Sequence, residues 1–274
     1  MDLREVAREV RVDVLRMTHA AGSGHPGGSM SMADLVVGLY WGPLRHDPSD
    51  PAWEGRDRFV LSKGHCCPGL YSVLARRGYF PVEELAGFRK LGQRLQGHAD
   101  RKVPGVEMSA GSLGMGLAFG NGVALAARLR HADDAAGELP RVYVMLGDGE
   151  VQEGSVWEAA MSAAHRGLDN LCAILDYNKI QIDGFVADVK GIEPLGAKWR
   201  AFGWHVVEID GHDPAQIQAA YAEASATKGK PTLVLAHTLK GKGVSFTENK
   251  AEYHGRALTD DEMRRAMAEL GRAP

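Results

Sequence analysis

RVYVMLGDGEVQEGSVWEAAMSAAH, Arg141 to His165, reads as a strand, a loop and a helix in succession. Arg141 to Leu146 is a short apolar run. Gly147-Asp148-Gly149 breaks it, and Ser155 to His165 carries helical spacing. Downstream the alternation continues. Leu171 to Tyr177 (LCAILDY), His205 to Ile209 and Thr232 to His237 (TLVLAH) read as strands, and Leu195 to Phe202 and Pro214 to Ala226 as helices. Apolar strands without polar alternation, separated by helices, predict an α/β fold with a parallel sheet covered by helices on both faces.

Upstream, Leu117 to Leu129 is a helix rich in alanine and glycine, able to pack close to a neighbour. Gly92 to Gly116 is glycine-rich and weakly periodic, and is read as a functional loop. Helices are expected over Glu83 to Leu91, started by Pro81, and over Leu70 to Arg77. Asp57 to Ser62 is a short strand leading into the loop SKGHCCPG. A helical pattern through Met32, Leu35, Val36 and Leu39 follows the loop AGSGHPGGSMS. The chain opens with an amphipathic helix through Leu3, Val6, Val10, Val14 and Met17. Thr259 and Glu262 form a capping box for a last helix. With no repeat or linker in view, residues 1–274 are expected to be one domain, with a C-terminal arm from about residue 240.

The 274 residues are 45% hydrophobic and 24% charged, with a formal net charge of −3. That balance gives no sign of a nucleic-acid surface. No apolar run is long enough for a bilayer, and the N-terminus lacks an apolar signal core, so a cytoplasmic protein is expected. Cys66, Cys67 and Cys172 lack the spacing of a disulfide framework or a zinc site, and are expected to be reduced thiols in or near the core.

In a parallel sheet the GDG segment lies at the carboxyl end of a strand, where ligands bind. Gly147 and Gly149 allow close backbone approach, and Asp148 offers a hard oxygen ligand. The helix beginning near Gly154 would turn free N–H groups toward an anion. One βα unit later, DYNKIQIDG ends the adjacent strand, and Asn178 offers an amide oxygen. Asp148, Asn178 and a nearby backbone carbonyl, completed by a diphosphate, suit a magnesium ion. Taken singly, GDG and Asn178 are also ordinary turn signals.

The GDG…N pair resembles the cofactor motif of thiamine-diphosphate enzymes. Within them the chain is similar to transketolases, through SGHPGG (Ser23–Gly28), LSKGH (Leu61–His65), Gly97–His98, GSLGMG (Gly111–Gly116), GDGEVQEG (Gly147–Gly154), NKIQIDG (Asn178–Gly184), DGHD (Asp210–Asp213) and YHG (Tyr253–Gly255). The resemblance implies that Asp148, Asn178 and the carbonyl of Ile180 hold Mg2+, or Ca2+ or Mn2+ in its place. It sets Gly149, His65 and His254 against the diphosphate of thiamine diphosphate, and Gly111, Ser112 and Leu113 near its rings. Glu153 would lie at a subunit interface, with Glu158 in the same acidic network. His25, His65, His98 and His254 match histidines lining the substrate channel, where proton transfer on sugar hydroxyls accompanies C–C cleavage. His46, His131 and His165 have no such context.

By the same resemblance, the pyrimidine-binding domain, its glutamate and the arginines that grip a sugar phosphate would belong to a second chain. A C-terminal transketolase subunit, in an α2β2 assembly acting on sugar phosphates in the pentose phosphate pathway or a related branch, is therefore expected. Three other readings compete. Gly22, Gly24 and Gly27 spell G-x-G-x-x-G, but they follow a helix and include Pro26, which fails the dinucleotide context. A 1-deoxyxylulose-phosphate synthase-like enzyme or a two-subunit decarboxylase shares the GDG…N site. A cofactor-binding subunit without chemistry would not need His25 or His98.

Overall fold

The computed structural model describes residues 2–131 and 138–273. Five strands form one parallel sheet: β1 (Arg58–Leu61), β2 (Val142–Gly147), β3 (Leu171–Tyr177), β6 (His205–Asp210) and β7 (Thr232–His237), in the order β1-β2-β3-β7-β6. A two-residue hairpin, β4 (Ile180–Gln181) with β5 (Gly184–Phe185), stands apart from it. The continuous apolar runs arise because both faces are covered. Alternate residues of one strand face opposite layers: Val142, Val144 and Leu146 lie in one apolar cluster, Tyr143 and Met145 in the other. Fully burying each such aliphatic chain contributes about 1.5–3 kcal/mol.

One face carries α1 (Leu3–Ala20), α3 (Ala33–Tyr40), α4 (Cys67–Arg76), α9 (Pro214–Ala226) and α10 (Asp260–Glu269). The other carries α5 (Met115–Arg130), α6 (Gly154–His165) and α8 (Leu195–Ala201). Short helices α2 (Pro26–Ser31) and α7 (Val186–Lys190) complete the set. Asp2 caps α1 through the Arg4 N–H at 2.9 Å. Thr259 and Glu262 form the expected capping box, and Met263, Ala266 and Met267 pack α10 into the same cluster as Ala7, Val10 and Val14 of α1.

Three local expectations give way. Only Val82–Gly87, a 3-10 turn, forms where a helix through Leu91 was expected. Arg89 and Gly92 adopt left-handed backbone, which a right-handed helix cannot include. Within AGSGHPGGSMS, Pro26 starts helix α2 instead of continuing a loop; its fixed φ and missing N–H suit a first helical position. The hairpin after Asn178 was not foreseen, although Asp183-Gly184 is a turn signal. Among the described residues no helix is long and apolar enough to cross a membrane. Cys66, Cys67 and Cys172 are free and buried.

Candidate active site

Parallel pairing places the tips of β2 and β3 side by side, with Gly147 opposite Asp176. One residue further, Asp148 turns inward and is 3% exposed. Its Oδ1 accepts the Gly149 N–H at 2.7 Å and its Oδ2 accepts the Lys179 N–H. Burial, and then the neighbouring Asp176, push its pKa up to about 6. Asn178 is also buried. Its Oδ1 accepts the Ile180 N–H at 3.2 Å, and its amide donates to Asp176 Oδ2 at 3.2 Å. The carbonyl of Ile180 accepts from Lys240 Nζ at 2.7 Å. Among the described residues no group of three or more His, Cys, Asp or Glu side chains is placed to hold a metal ion. The hard donors at these tips are one carboxylate, one amide oxygen and one carbonyl, a set that suits a magnesium- or calcium-like cation sharing its shell with phosphate oxygens.

These tips open into a cavity of about 360 Å³. Asp148, Gly149, Asn178 and Ile180 line it, and Gly111, Leu113 and Glu153 also border it. Ser112 is exposed and does not line it. The start of α6 is also set back. A 3-10 turn at Glu150–Gln152 intervenes, and Ser155 Oγ donates to the Gly114 carbonyl at 3.1 Å instead. Gly147 to Glu150, Gln152 and Glu153, not the first turn of α6, therefore line the cavity. Glu158 lines a separate groove between α5 and α6. His46 stacks on Tyr79, and Cys66 and Cys67 stay out of the cavity.

Four loops deliver the four histidines to the same cavity. The His25 ring lies 5.1 Å from His65, 5.5 Å from His254 and 6.1 Å from His98, centroid to centroid. Burial, reinforced by nearby cations, holds all of them neutral. His65 is lowered to about 2 with help from Lys63, and His254 to about 3 with help from Lys240. His25 is lowered to about 4, with Arg89 the next cause, and His98 is lowered for the same two reasons.

Sequence reasoning missed the cations and acids in and next to the cavity wall. Lys63, which lines the cavity, and Asp176, 2% and 0% exposed in their side chains, form an ion pair. Burial opposes the Lys63 charge, yet Asp176 outweighs it and keeps the ammonium well above its ordinary pKa. Asp176 also accepts from Ser31 and Thr238, so α2, β3 and the end of β7 meet at one carboxylate. Lys240 is lowered to about 8 by burial, and its Nζ lies 2.6 Å from His254 Nδ1. Glu150 accepts from Ser62 and from the N–H groups of Gly114 and Gly147, joining three loops. Two signals were available: Lys63 inside LSKGH and the lysine-glycine alternation at Lys240–Gly243.

The family of transketolase thiamine-diphosphate-binding domains matches residues 3–274. The chain is 44% identical over 271 residues to 6-deoxy-6-sulfo-D-fructose transketolase subunit SqwG of Clostridium sp. (strain MSTE9), covering 98% of this chain and 96% of that protein. It is 38% identical to an apulose-4-phosphate transketolase subunit of Phocaeicola vulgatus, covering 95% and 90%. Against human transketolase it is 37% identical and spans 42% of that longer chain. The solved transketolase of Leishmania mexicana superposes with a TM-score of 0.95 at 36% identity, covering all of this chain and 42% of that one. A match over nearly the whole chain, with the same fold, places this protein in the transketolase family as a thiamine-diphosphate-binding domain.

Proposed function

We propose that this chain is the thiamine-diphosphate- and Mg2+-binding subunit of a two-subunit transketolase, moving a two-carbon ketol unit from a ketose to an aldose. It works in the cytoplasm, in an α2β2 assembly with a subunit carrying the pyrimidine-binding domain. The observation that carries the reading is the junction of the GDG carboxylate and the Asn178 loop beside four neutral histidines in one cavity. Both subunit-sized relatives span nearly their whole length with this chain, which supports a separate partner. Residues 1–274 act as one domain, with an arm from about residue 240 that carries Lys240 and His254, both of which line the cavity.

Asp148, Asn178 and the Ile180 carbonyl would hold the metal, and Gly149 would let the diphosphate approach the backbone. Once bound, the cofactor supplies the carbanion stabilisation that C–C cleavage requires. The chain's residues bind and move protons. Lys240 donates to His254 Nδ1, which leaves Nε2 of the neutral ring to carry the proton and donate to a sugar hydroxyl. His65, neutral at all ordinary pH, orients a hydroxyl without acting as a strong acid. His25 and His98, nearer the ordinary range, exchange protons with the hydroxyl beside the breaking bond. The two subunit-sized relatives are named for a sulfonated and a phosphorylated sugar, which supports an anionic ketose as donor here.

The test is reconstitution with the partner subunit, thiamine diphosphate and Mg2+. Two-carbon transfer from D-fructose 6-phosphate or 6-deoxy-6-sulfo-D-fructose to an aldose phosphate is expected from the pair and not from this chain alone. Robust turnover by the isolated chain would overturn the shared site. Use of pyruvate in preference to either sugar would move the protein to the synthase or decarboxylase branch.

A further inference from the structure

Arg89 is a non-glycine residue held at φ 58°, a left-handed backbone that costs about 1–3 kcal/mol and persists only where its surroundings impose it. Its N–H donates to the Leu95 carbonyl at 2.8 Å, closing the bend that leads to Gly97 and His98. Its Nη1 donates to Ser23 Oγ at 3.2 Å, two residues before His25. The opposite side of the guanidinium presses on Gly97. A Cβ at that position would lie 2.5 Å from Arg89 Nε and 2.8 Å from Cζ, so any larger residue there would displace the guanidinium. Two polar atoms in this corner are buried without a hydrogen-bond partner, Arg89 Nε and His25 Nδ1.

We infer that Arg89 is a positioning residue: its guanidinium is wedged between the Ser23–His25 loop and the Gly97–His98 turn and sets the separation of the His25 and His98 rings. The inference rests on the proposed function only in reading those histidines as substrate-facing. A packing residue would not need a strained backbone, nor a head group that fills the space a Cβ at position 97 would take. The wedge also brings a permanent cation to both rings, which disfavours their protonation. Lys240, His65, His98 and His254 are the other titratable groups around His25.

Two variants test the wedge independently. Arg89→Met removes the head group, and Gly97→Ala displaces it while leaving its charge in the chain. In the reconstituted complex, with D-xylulose 5-phosphate as donor and D-ribose 5-phosphate as acceptor, each should lower kcat/KM by about 10- to 100-fold, the effect of a small misplacement of reacting groups. The double variant should be no worse than the worse single one, because both act on one contact. In histidine NMR titrations of the full chain, Arg89→Met should raise the His25 and His98 midpoints, while Arg89→Lys should stay near the parent. Losses that multiply, or midpoints that do not move in Arg89→Met, would overturn the wedge. A parent complex without two-carbon transfer would defeat the functional reading alone, since the titrations still test the wedge. Should Arg89→Met not fold, Gly97→Ala still decides: unchanged kcat/KM and unchanged midpoints in that variant refute the inference.

Discussion

The Asp148 carboxylate accepts the backbone N–H of Lys179 and so ties the loop at the tip of β2 to the loop at the tip of β3, beside a second link from Gln152 Nε2 to Gln181 Oε1 at 2.8 Å. Both loops carry oxygens of the proposed metal set, and neither could shift without moving the other. Asp148→Asn keeps an acceptor oxygen for the Lys179 N–H and removes the charge. Mg2+-dependent binding of thiamine diphosphate, followed by calorimetry, should weaken by more than about 100-fold, since even groups behind metal ligands are worth about 10- to 100-fold. Binding that keeps the parent's Mg2+ dependence would take Asp148 out of the metal set.

The Lys63–Asp176 pair makes a stability prediction. Both side chains are essentially out of water, so removing one partner strands the other as an uncompensated charge. Lys63→Met should destabilise the chain by about 3–5 kcal/mol in urea unfolding. Lys63→Met combined with Asp176→Asn should recover part of that loss, because no buried charge then remains. Equal destabilisation in the single and double variants would show that Ser31 and Thr238, not Lys63, satisfy Asp176.

Much of the fold was legible because the strands obey a simple rule. LCAILDY is apolar at successive positions, which only a doubly covered strand requires, and the structure buries Leu171 to Asp176 completely. The site histidines were legible through the glycines beside them. Lys63 and Asp176 were not. A charged residue in sequence looks solvated, and only the three-dimensional meeting of LSKGH with the end of LCAILDY reveals the pair. Ser112 shows the limit of a motif: it is exposed and does not border the cavity that its neighbours Gly111 and Leu113 line. The 3-10 turn at Glu150–Gln152 was hidden because Glu150 folds back onto the Gly147 N–H, a tertiary choice that no periodicity encodes.

His25 supplies a pH dependence. Its pKa in the folded chain is lowered to about 4 by burial, then by Arg89 and His98. The unfolded chain therefore takes up a proton near pH 6.5, where the folded chain does not. The associated stability is fully present above about pH 6.5 and is lost as pH falls through that value toward about 4. Comparing the parent with His25→Asn by urea unfolding across pH 7 to 4 isolates this ring. The difference between them should change steadily in the parent's disfavour as pH drops. A constant difference would mean that the folded chain binds the proton as readily as the unfolded one.

Two glycines of α5 should respond in opposite directions to the same substitution. A Cβ at Gly120 would lie 2.5 Å from Val144 Cγ2 on β2, inside the packed layer between helix and sheet. Val144 is fully buried and has no free end to swing aside. Gly120→Ala should therefore lose about 1–3 kcal/mol through overpacking, more than its gain in helix propensity. At Gly122 a Cβ meets nothing within 4 Å, and the residue faces the groove between α5 and α6. Gly122→Ala should gain about 1 kcal/mol, because alanine loses less backbone freedom than glycine in a helix. Urea unfolding of the two variants of the isolated chain gives both signs. A stabilised Gly120→Ala would mean that α5 stands further from β2 than the Gly120–Val144 contact requires.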